Sequence, residues 1–208
     1  DDRSHGSFGR NGAGVDSAYS NPVTTTTLSP LAGPTGTPVA VSVSTNEVVW
    51  SWGSAFQATA YQVYLATKTS ELIAATTTTS HVRTLGPDQV SAVVVRATNP
   101  FGAGPLSAAA MAYTLARPPT ALALSAVSSS AVSMSWSANG NPAGTVYELE
   151  SSSDGVLYAA FSTVAAAGAT APALTASTTY FFQVRARNGG LVTTAFAAAV
   201  STRTLPPL

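Results

Sequence analysis

Residues 47–52 read EVVWSW, and residues 131–136 read AVSMSW. In the first stretch Val48, Trp50 and Trp52 alternate with their neighbours, and the second stretch alternates in the same way. Alternation with a period of two is the pattern of a β-strand that has one buried face. The two stretches therefore predict two strands of the same kind, each ending in a tryptophan that packs in a core.

The tryptophan-ended strand is one of three landmarks that occur twice along the chain. Trp52 and Trp136 lie 84 positions apart, and the sequences VRATN and VRARN, which end at Asn99 and Asn188, lie 89 positions apart. The closing sequences YTLARPP and TRTLPP repeat at about the same distance. A fixed period of this kind is the signature of repeated structural units. The sequence thus predicts two copies of one module.

The two modules are expected at residues 34–116 and 117–208, and each is expected to contain only strands. Alternating runs recur at 61–66 and 147–151, and the turn sequences SDG, NGN, NPFG and NGG separate such runs. Short strands with turn signals every 8–12 residues or so are typical of an antiparallel β-sandwich. We therefore predict an all-β chain with two tandem immunoglobulin-like sandwiches.

The landmarks of both modules resemble the fibronectin type III pattern. That pattern has a strand ending in Trp, a Tyr-led strand, the motif L-x5-Y-x3-V-x-A-x-N and a closing T-L-x-P-P. In the second module Trp136 stands at the family tryptophan, and Leu174 and Tyr180 stand at its tyrosine corner. In the first module Ser91 stands where the family has its tyrosine, so that corner is expected to be held in another way. The resemblance implies tandem fibronectin type III modules of a bacterial extracellular type.

Residues 1–33 are expected to form an extended N-terminal arm. Residues 10–30 repeat the end of a module, with Leu28 at the position of Leu115, so the arm resembles the last strand of an incomplete module. A lone strand is not stable in water, and strand addition to an open sheet edge would stabilise it. The partner is either another chain or, in a long array, a fragment of the same parent polypeptide. The predicted assembly strand consists of Val15, Tyr19, Val23 and Leu28.

The composition excludes several classes of partner. Charged residues make up 9% of the chain and the formal net charge is zero, whereas nucleic acid and anionic membrane surfaces attract basic clusters. The sequence contains no apolar run of about 18 residues that would predict a membrane span. It also contains no cysteine, which excludes disulfides and thiolate metal sites. A neutral surface rich in Ser and Thr favours an extracellular location.

The sequence predicts no catalytic residue, no cofactor site and no metal site, and hence no enzyme. His5 and His81 are its only histidines, and the motifs HExxH, GxSxG and the P-loop do not occur. His81 and Asp88 lie close in sequence, but we expect a surface histidine there, not a catalytic triad. The threonine clusters at 24–27 and 76–80 are candidate acceptors of O-linked sugars, although threonine is also simply a good strand former.

Two groups of polar side chains are expected on outer sheet faces. In the second module one predicted strand carries two glutamates on one face, and another carries two arginines on one face. These two strands are neighbours in fibronectin type III modules, so the resemblance implies a cross-strand charge cluster. The alternative is a patch that binds a sugar or a protein. In the first module Tyr64 and Arg96 fall at comparable places and are expected to stack. The predicted surface charge cluster consists of Glu148, Glu150, Arg185 and Arg187.

The linker sequence TLARPPTAL is short and rich in proline, so it is expected to limit rotation between the modules. Stacked modules with stiff joints make a rod. The sequence therefore predicts an extracellular structural protein, the repeat unit of a surface filament, fibre or stalk that assembles through the arm. One alternative is an adhesive module that binds glycans or proteins, and another is a spacer from a larger secreted enzyme.

Overall fold

The computed structural model describes residues 30–33 and 35–207. All regular structure in this part of the chain is β, as expected from runs dominated by β-branched residues, serine and threonine. No described segment forms a helix with the length and hydropathy that a membrane crossing requires. The predicted assembly strand, with Val15, Tyr19, Val23 and Leu28, lies outside the described residues, as do His5 and the threonines at 24–27.

Module 1 contains the first eight strands. They are β1 (Val39–Val43), β2 (Glu47–Ser51), β3 (Ala60–Leu65), β4 (Lys68–Thr76), β5 (Ser80–Thr84), β6 (Val90–Asn99), β7 (Gly102–Ala103) and β8 (Ala110–Tyr113). One sheet has the order β1-β2-β5, and the other has the order β4-β3-β6, with β7 and β8 both paired to β6. Every pairing is antiparallel.

Module 2 contains the remaining seven strands. They are β9 (Thr120–Val127), β10 (Val132–Ser137), β11 (Val146–Ser152), β12 (Ala159–Val164), β13 (Gly168–Ala171), β14 (Thr179–Arg187) and β15 (Val200–Arg203). Its sheets have the orders β9-β10-β13 and β12-β11-β14-β15. Strand for strand this is the topology of module 1 without the short β7. The predicted fold class, two antiparallel immunoglobulin-like sandwiches, is confirmed.

Each module closes a core of its own between its two sheets. In module 1 the ring of Trp52 packs edge-on against Tyr61, with 5.8 Å between ring centroids. In module 2 Trp136 packs edge-on against Tyr147 at 5.4 Å. Such a pair contributes about 0.5–1.5 kcal/mol beyond the area it buries. The landmark tryptophans are therefore core residues that join the two sheets of each sandwich.

The two modules hold the corner before their sixth strand in different ways. In module 2 the Thr175 N–H donates to the hydroxyl oxygen of Tyr180 at 3.1 Å. In module 1 Ser91 stands at that position, and its Oγ accepts a hydrogen bond of 3.0 Å from Nε1 of Trp50. Both Trp50 and Ser91 are fully buried. Trp50, the additional tryptophan of the sequence EVVWSW, is thus coupled to the missing tyrosine, since module 2 has Met134 in place of Trp50.

Candidate functional site

The joint between the modules is the part of the molecule where side chains of both sandwiches converge. The chain passes from β8 to β9 through residues 114–119. Within this linker Ala116 is buried in the core of module 2, and Pro119 is fully buried as well. The linker is therefore anchored in the second sandwich and does not run free between the two.

Asn188, at the end of β14, fastens the linker to module 2. Its side chain is only 3% exposed, and its Nδ2 donates to the carbonyl oxygen of Thr114 at 3.0 Å. Its Oδ1 accepts from the Val192 N–H at 2.7 Å, which shapes the following loop. A buried amide in this position satisfies main-chain groups on both sides of the joint, and its removal would leave them unpaired.

Asp88 reaches across the joint from module 1. Its Oδ1 accepts from the Gly189 N–H at 2.8 Å, and its Oδ2 accepts from the Thr145 hydroxyl at 2.7 Å. Its backbone lies in the left-handed region with φ of 49°, which aspartate tolerates better than most residues. Hydrogen bonds to a charged acceptor are the stronger kind. The carboxylate thus connects the loop before β6 to two separate loops of module 2.

Close packing and further polar contacts surround these two side chains. The ring of Tyr113 lies directly on Gly189, where any Cβ would overlap it. Asn141 of module 2 exchanges two hydrogen bonds of 2.8 Å with the backbone of Arg117, one through Oδ1 and one through Nδ2. The Arg117 guanidinium in turn donates to Asn46 of module 1 at 3.2 Å. The joint is held by side chains from both modules and from the linker between them.

The comparisons with known proteins bear on both modules. Residues 117–202 match the model of the Fibronectin type III domain. The second module is a fibronectin type III domain. The first module has the same strand order, so its architecture is that of a fibronectin type III domain as well.

The solved structures that resemble the chain include several fibronectin type III proteins. The chicken CNTN1 FN1–FN3 domains are 19% identical, with a TM-score of 0.40 over 95% of this chain and 76% of that one. A domain of human fibronectin type III domain containing protein 3 is 26% identical, with a TM-score of 0.39 over 43% of this chain and 85% of that one. Titin domains A168–A170 are 18% identical, with a TM-score of 0.42 over 76% and 58% of the respective chains. No curated protein matches the sequence.

The surface charge cluster of the second fibronectin type III module contains three of the four predicted residues. Glu148 lies opposite Arg185 across β11 and β14, and Arg185 donates to its Oε2 through Nε and Nη2, each at 2.8 Å. Arg187 donates to the other oxygen, Oε1, at 3.2 Å. Glu150 differs from the prediction, because the register places it opposite Gln183, whose Nε2 donates to it at 2.8 Å.

In the first module Arg96 stacks on Tyr64, with 5.0 Å from its guanidinium carbon to the ring centroid. Arg96 also donates to the Tyr64 hydroxyl at 2.6 Å and to Oε1 of Gln62 at 2.8 Å. The pair is therefore part of a small polar network on the outer face of β3 and β6. The Gln62 contribution has no signal in the sequence pattern.

His81 is half-buried on the edge strand β5, opposite Trp50, and is less exposed than the sequence suggests. Burial lowers the pKa of His81 below its usual 6.5, and the positive charge of Arg83 lowers it further. The Asp88 carboxylate, which sequence alone set beside His81, is engaged instead by Gly189 and Thr145. Within the described residues, no group of three His, Cys, Asp or Glu side chains could hold a metal ion.

The segment that enters the first module repeats the contacts of the linker that enters the second. Nδ2 of Asn99 donates to the carbonyl oxygen of Pro30 at 3.1 Å, as Asn188 does to Thr114. Ala32 is buried in the core of module 1, as Ala116 is in that of module 2. These equivalent contacts place Leu31 at the position of Leu115, whereas the sequence repeat predicts Leu28 there. Residues 30–33, which the sequence groups with the arm, thus pack against module 1.

Sequence reasoning identified the fold of both modules but not the joint between them. Asn188 was visible as part of a repeated motif, and the NGG sequence was visible as a turn. Asp88 and Thr145 carried no signal, because they are 57 positions apart and belong to different modules. The one available signal was the change from Pro100 in the first module to Gly189 in the second, which frees an N–H for Asp88.

Proposed function

We propose that this chain is a segment of an extracellular structural protein, in which fibronectin type III modules joined by stiff joints form a filament, fibre or stalk. Fibronectin type III domains are commonly structural or adhesive modules outside the cell, and they are not enzymes. The observation that carries the proposal is the joint, where Asp88 and Asn188 cross between modules. We assign the chain no catalytic activity, and its bacterial origin stays a prediction of the sequence.

Assembly is proposed to run through the N-terminal arm, which pairs as a strand with another copy of this chain or with a fragment of the same long polypeptide. The contact between Asn99 and Pro30 supports this, because it reproduces the junction that leads from one module to the next. The exposed side chains of Leu31, Phe56 and Phe101 lie on the segment and loops at this end of module 1. An apolar end of this kind suits a neighbouring module.

The test compares the full chain with a variant that lacks residues 1–29. The shortened chain is expected to keep its fold by circular dichroism, because both cores lie within residues 30–207. It is expected to remain monomeric in sedimentation velocity, whereas the full chain self-associates or joins added fragments. Electron micrographs would show whether the larger species are linear. Equal association by both proteins would exclude the arm as the assembly element.

A further inference from the structure

A cleft of about 380 Å³ opens beside the joint. Both modules are needed to form the cleft, because one wall comes from module 1 and the other from module 2. Small-molecule sites occur preferentially between domains, with volumes of about 300–1,000 Å³. Its lining includes Asp88, Gln89, Val90 and Tyr113 of module 1, and residues 142–146, Arg187 and Leu191 of module 2.

One part of the lining is apolar and exposed. Tyr113 contributes an aromatic ring, and Val90 is 45% exposed on the same module. Leu191 is 72% exposed and has a backbone φ of 67°, which is uncommon for a residue with a branched side chain. The Leu191 N–H donates to the carbonyl oxygen of Asn188 at 2.9 Å, which holds Leu191 in this conformation. A strained, exposed leucine at the rim of a cleft is a feature that functional sites retain.

The other part of the lining offers hydrogen-bonding groups of balanced charge. Each carboxylate oxygen of Asp88 accepts one hydrogen bond and has a second lone pair left. The guanidinium of Arg187 lines the cleft and uses Nη1 for Glu148, whereas its Nε is shielded from solvent and does not face a ligand. The side-chain amide of Gln89 makes no hydrogen bond to the described residues, so it offers both a donor and an acceptor. The cleft therefore combines spare acceptors and spare donors with no net charge.

We propose that this cleft binds a neutral saccharide unit. A sugar ring presents apolar C–H faces, which suit Tyr113 and Leu191, and hydroxyl groups that both donate and accept, which suit Asp88, Gln89 and Arg187. The Asp88 carboxylate would repel an anionic ligand, and the Arg187 guanidinium would repel a cationic ligand, so a neutral ligand is favoured. This assignment adds glycan recognition to the structural role and does not depend on the assembly of the chain.

The experiment uses the full chain and saturation-transfer difference NMR with the methyl glycosides of glucose, galactose, mannose and N-acetylglucosamine. At least one of these is expected to receive saturation at millimolar concentration and to shift the backbone amides of Gln89, Gly189 and Leu191. Glucosamine and sialic acid serve as the cationic and anionic probes, and neither is expected to bind. No saturation of any neutral glycoside, or shifts confined to another surface, would overturn the proposal, and equal binding of the charged sugars would overturn its neutral assignment.

Two variants locate the site. Gln89→Ala and Leu191→Ala are each expected to weaken binding about fivefold, through the loss of one hydrogen bond or of one apolar contact. Thr178→Ala is the matched control, because Thr178 occupies the position of Gln89 in module 2. The Gln89 N–H donates to the hydroxyl of Thr114, and the Thr178 N–H donates to the hydroxyl of Thr204. A control that loses affinity as much as the cleft variants do would contradict the site. Unchanged thermal melting shows that each variant is folded.

Discussion

At the scale of single residues, the exchange of Trp50 and Ser91 for Met134 and Tyr180 shows how two side chains change together. A tyrosine in module 1 would meet the indole that already fills its core, and the indole N–H needs the acceptor that Ser91 provides. Trp50, two positions before the family tryptophan, and Ser91 at the corner are 41 positions apart, so neither predicts the other from sequence. Sequence comparison between the modules found the loss of the tyrosine but not its replacement.

The first prediction concerns this pair. Ser91→Ala is expected to lower the free energy of unfolding of module 1 by about 1–3 kcal/mol, because the buried indole N–H of Trp50 loses the acceptor that Ser91 provides. Ser91→Tyr is expected to cost about 1–3 kcal/mol through overpacking, and the added change Trp50→Met to recover most of it. Urea unfolding measures all three variants. A double variant less stable than Ser91→Tyr alone would show that the two positions are not coupled.

The second prediction concerns His81, whose pKa is lowered by burial and by Arg83. As the pH falls through about 6.5, the unfolded chain takes up the proton before the folded chain does, so stability present above this pH is lost below it. The wild-type protein is therefore expected to lose more stability between pH 7.5 and 5 than His81→Gln does. Unfolding curves at each pH measure the difference. Identical pH profiles for wild type and His81→Gln would refute the lowered pKa.

At the scale of elements, the strands with one buried face could be read from the sequence and the edge strands could not. The predicted run at 61–66 matches β3 within one residue, since its apolar residues alternate. Strand β4, at Lys68–Thr76, has mostly exposed side chains and no alternation, so its signal is lost among polar residues. The short β7 has only two residues. Pairing partners came from the family resemblance, whereas the register that separates Glu150 from the arginines came only from the structure.

The third prediction uses that register. Glu148→Gln is expected to lower the free energy of unfolding by about 1 kcal/mol, because a half-buried carboxylate that pairs with both Arg185 and Arg187 is lost. Glu150→Gln is the matched control on the same face of β11, and a change within about 0.5 kcal/mol is expected. Thermal or urea unfolding at low and high salt measures both, with the Glu148 effect shrinking as salt rises. Equal losses for the two variants would mean that the cluster contributes nothing specific.

At the scale of the whole molecule, we expect the joint to owe more of its stiffness to long-range side-chain contacts than to the prolines of the linker. The sequence predicted a limited joint from TLARPPTAL, and the buried Pro119 does contribute. The contacts of Asp88 with Gly189 and Thr145 join residues 101 and 57 positions apart, which no local pattern reveals. The joint could therefore not be predicted from sequence, because its contacts join residues that are far apart in the chain.

The fourth prediction tests this origin of the stiffness. Asp88→Ala combined with Asn188→Ala is expected to leave both cores folded but to broaden the range of angles between modules, because three hydrogen bonds across the joint are removed. Small-angle X-ray scattering and residual dipolar couplings measure the spread. Ser177→Ala is the control, since Ser177 takes the place of Asp88 in module 2, away from the joint. Unchanged couplings in the double variant would assign the stiffness to the linker alone.

The two asparagine contacts also bear on how such a chain can evolve. Asn188 and Asn99 each hold a backbone carbonyl, that of Thr114 in one case and of Pro30 in the other. Every amino acid supplies this atom, so units could be duplicated or exchanged without any matching substitution upstream. The Asp88 contact is specific to the joint between these two modules. Pro100, which stands at the position of Gly189 in module 1, has no N–H to donate, and Ser177, which stands at the position of Asp88 in module 2, has no carboxylate. The chain thus combines a joint contact that any module can make with one that depends on a particular pair of residues. The first kind would allow modules to be reordered by recombination, and the second would allow each joint to be adjusted by point mutation.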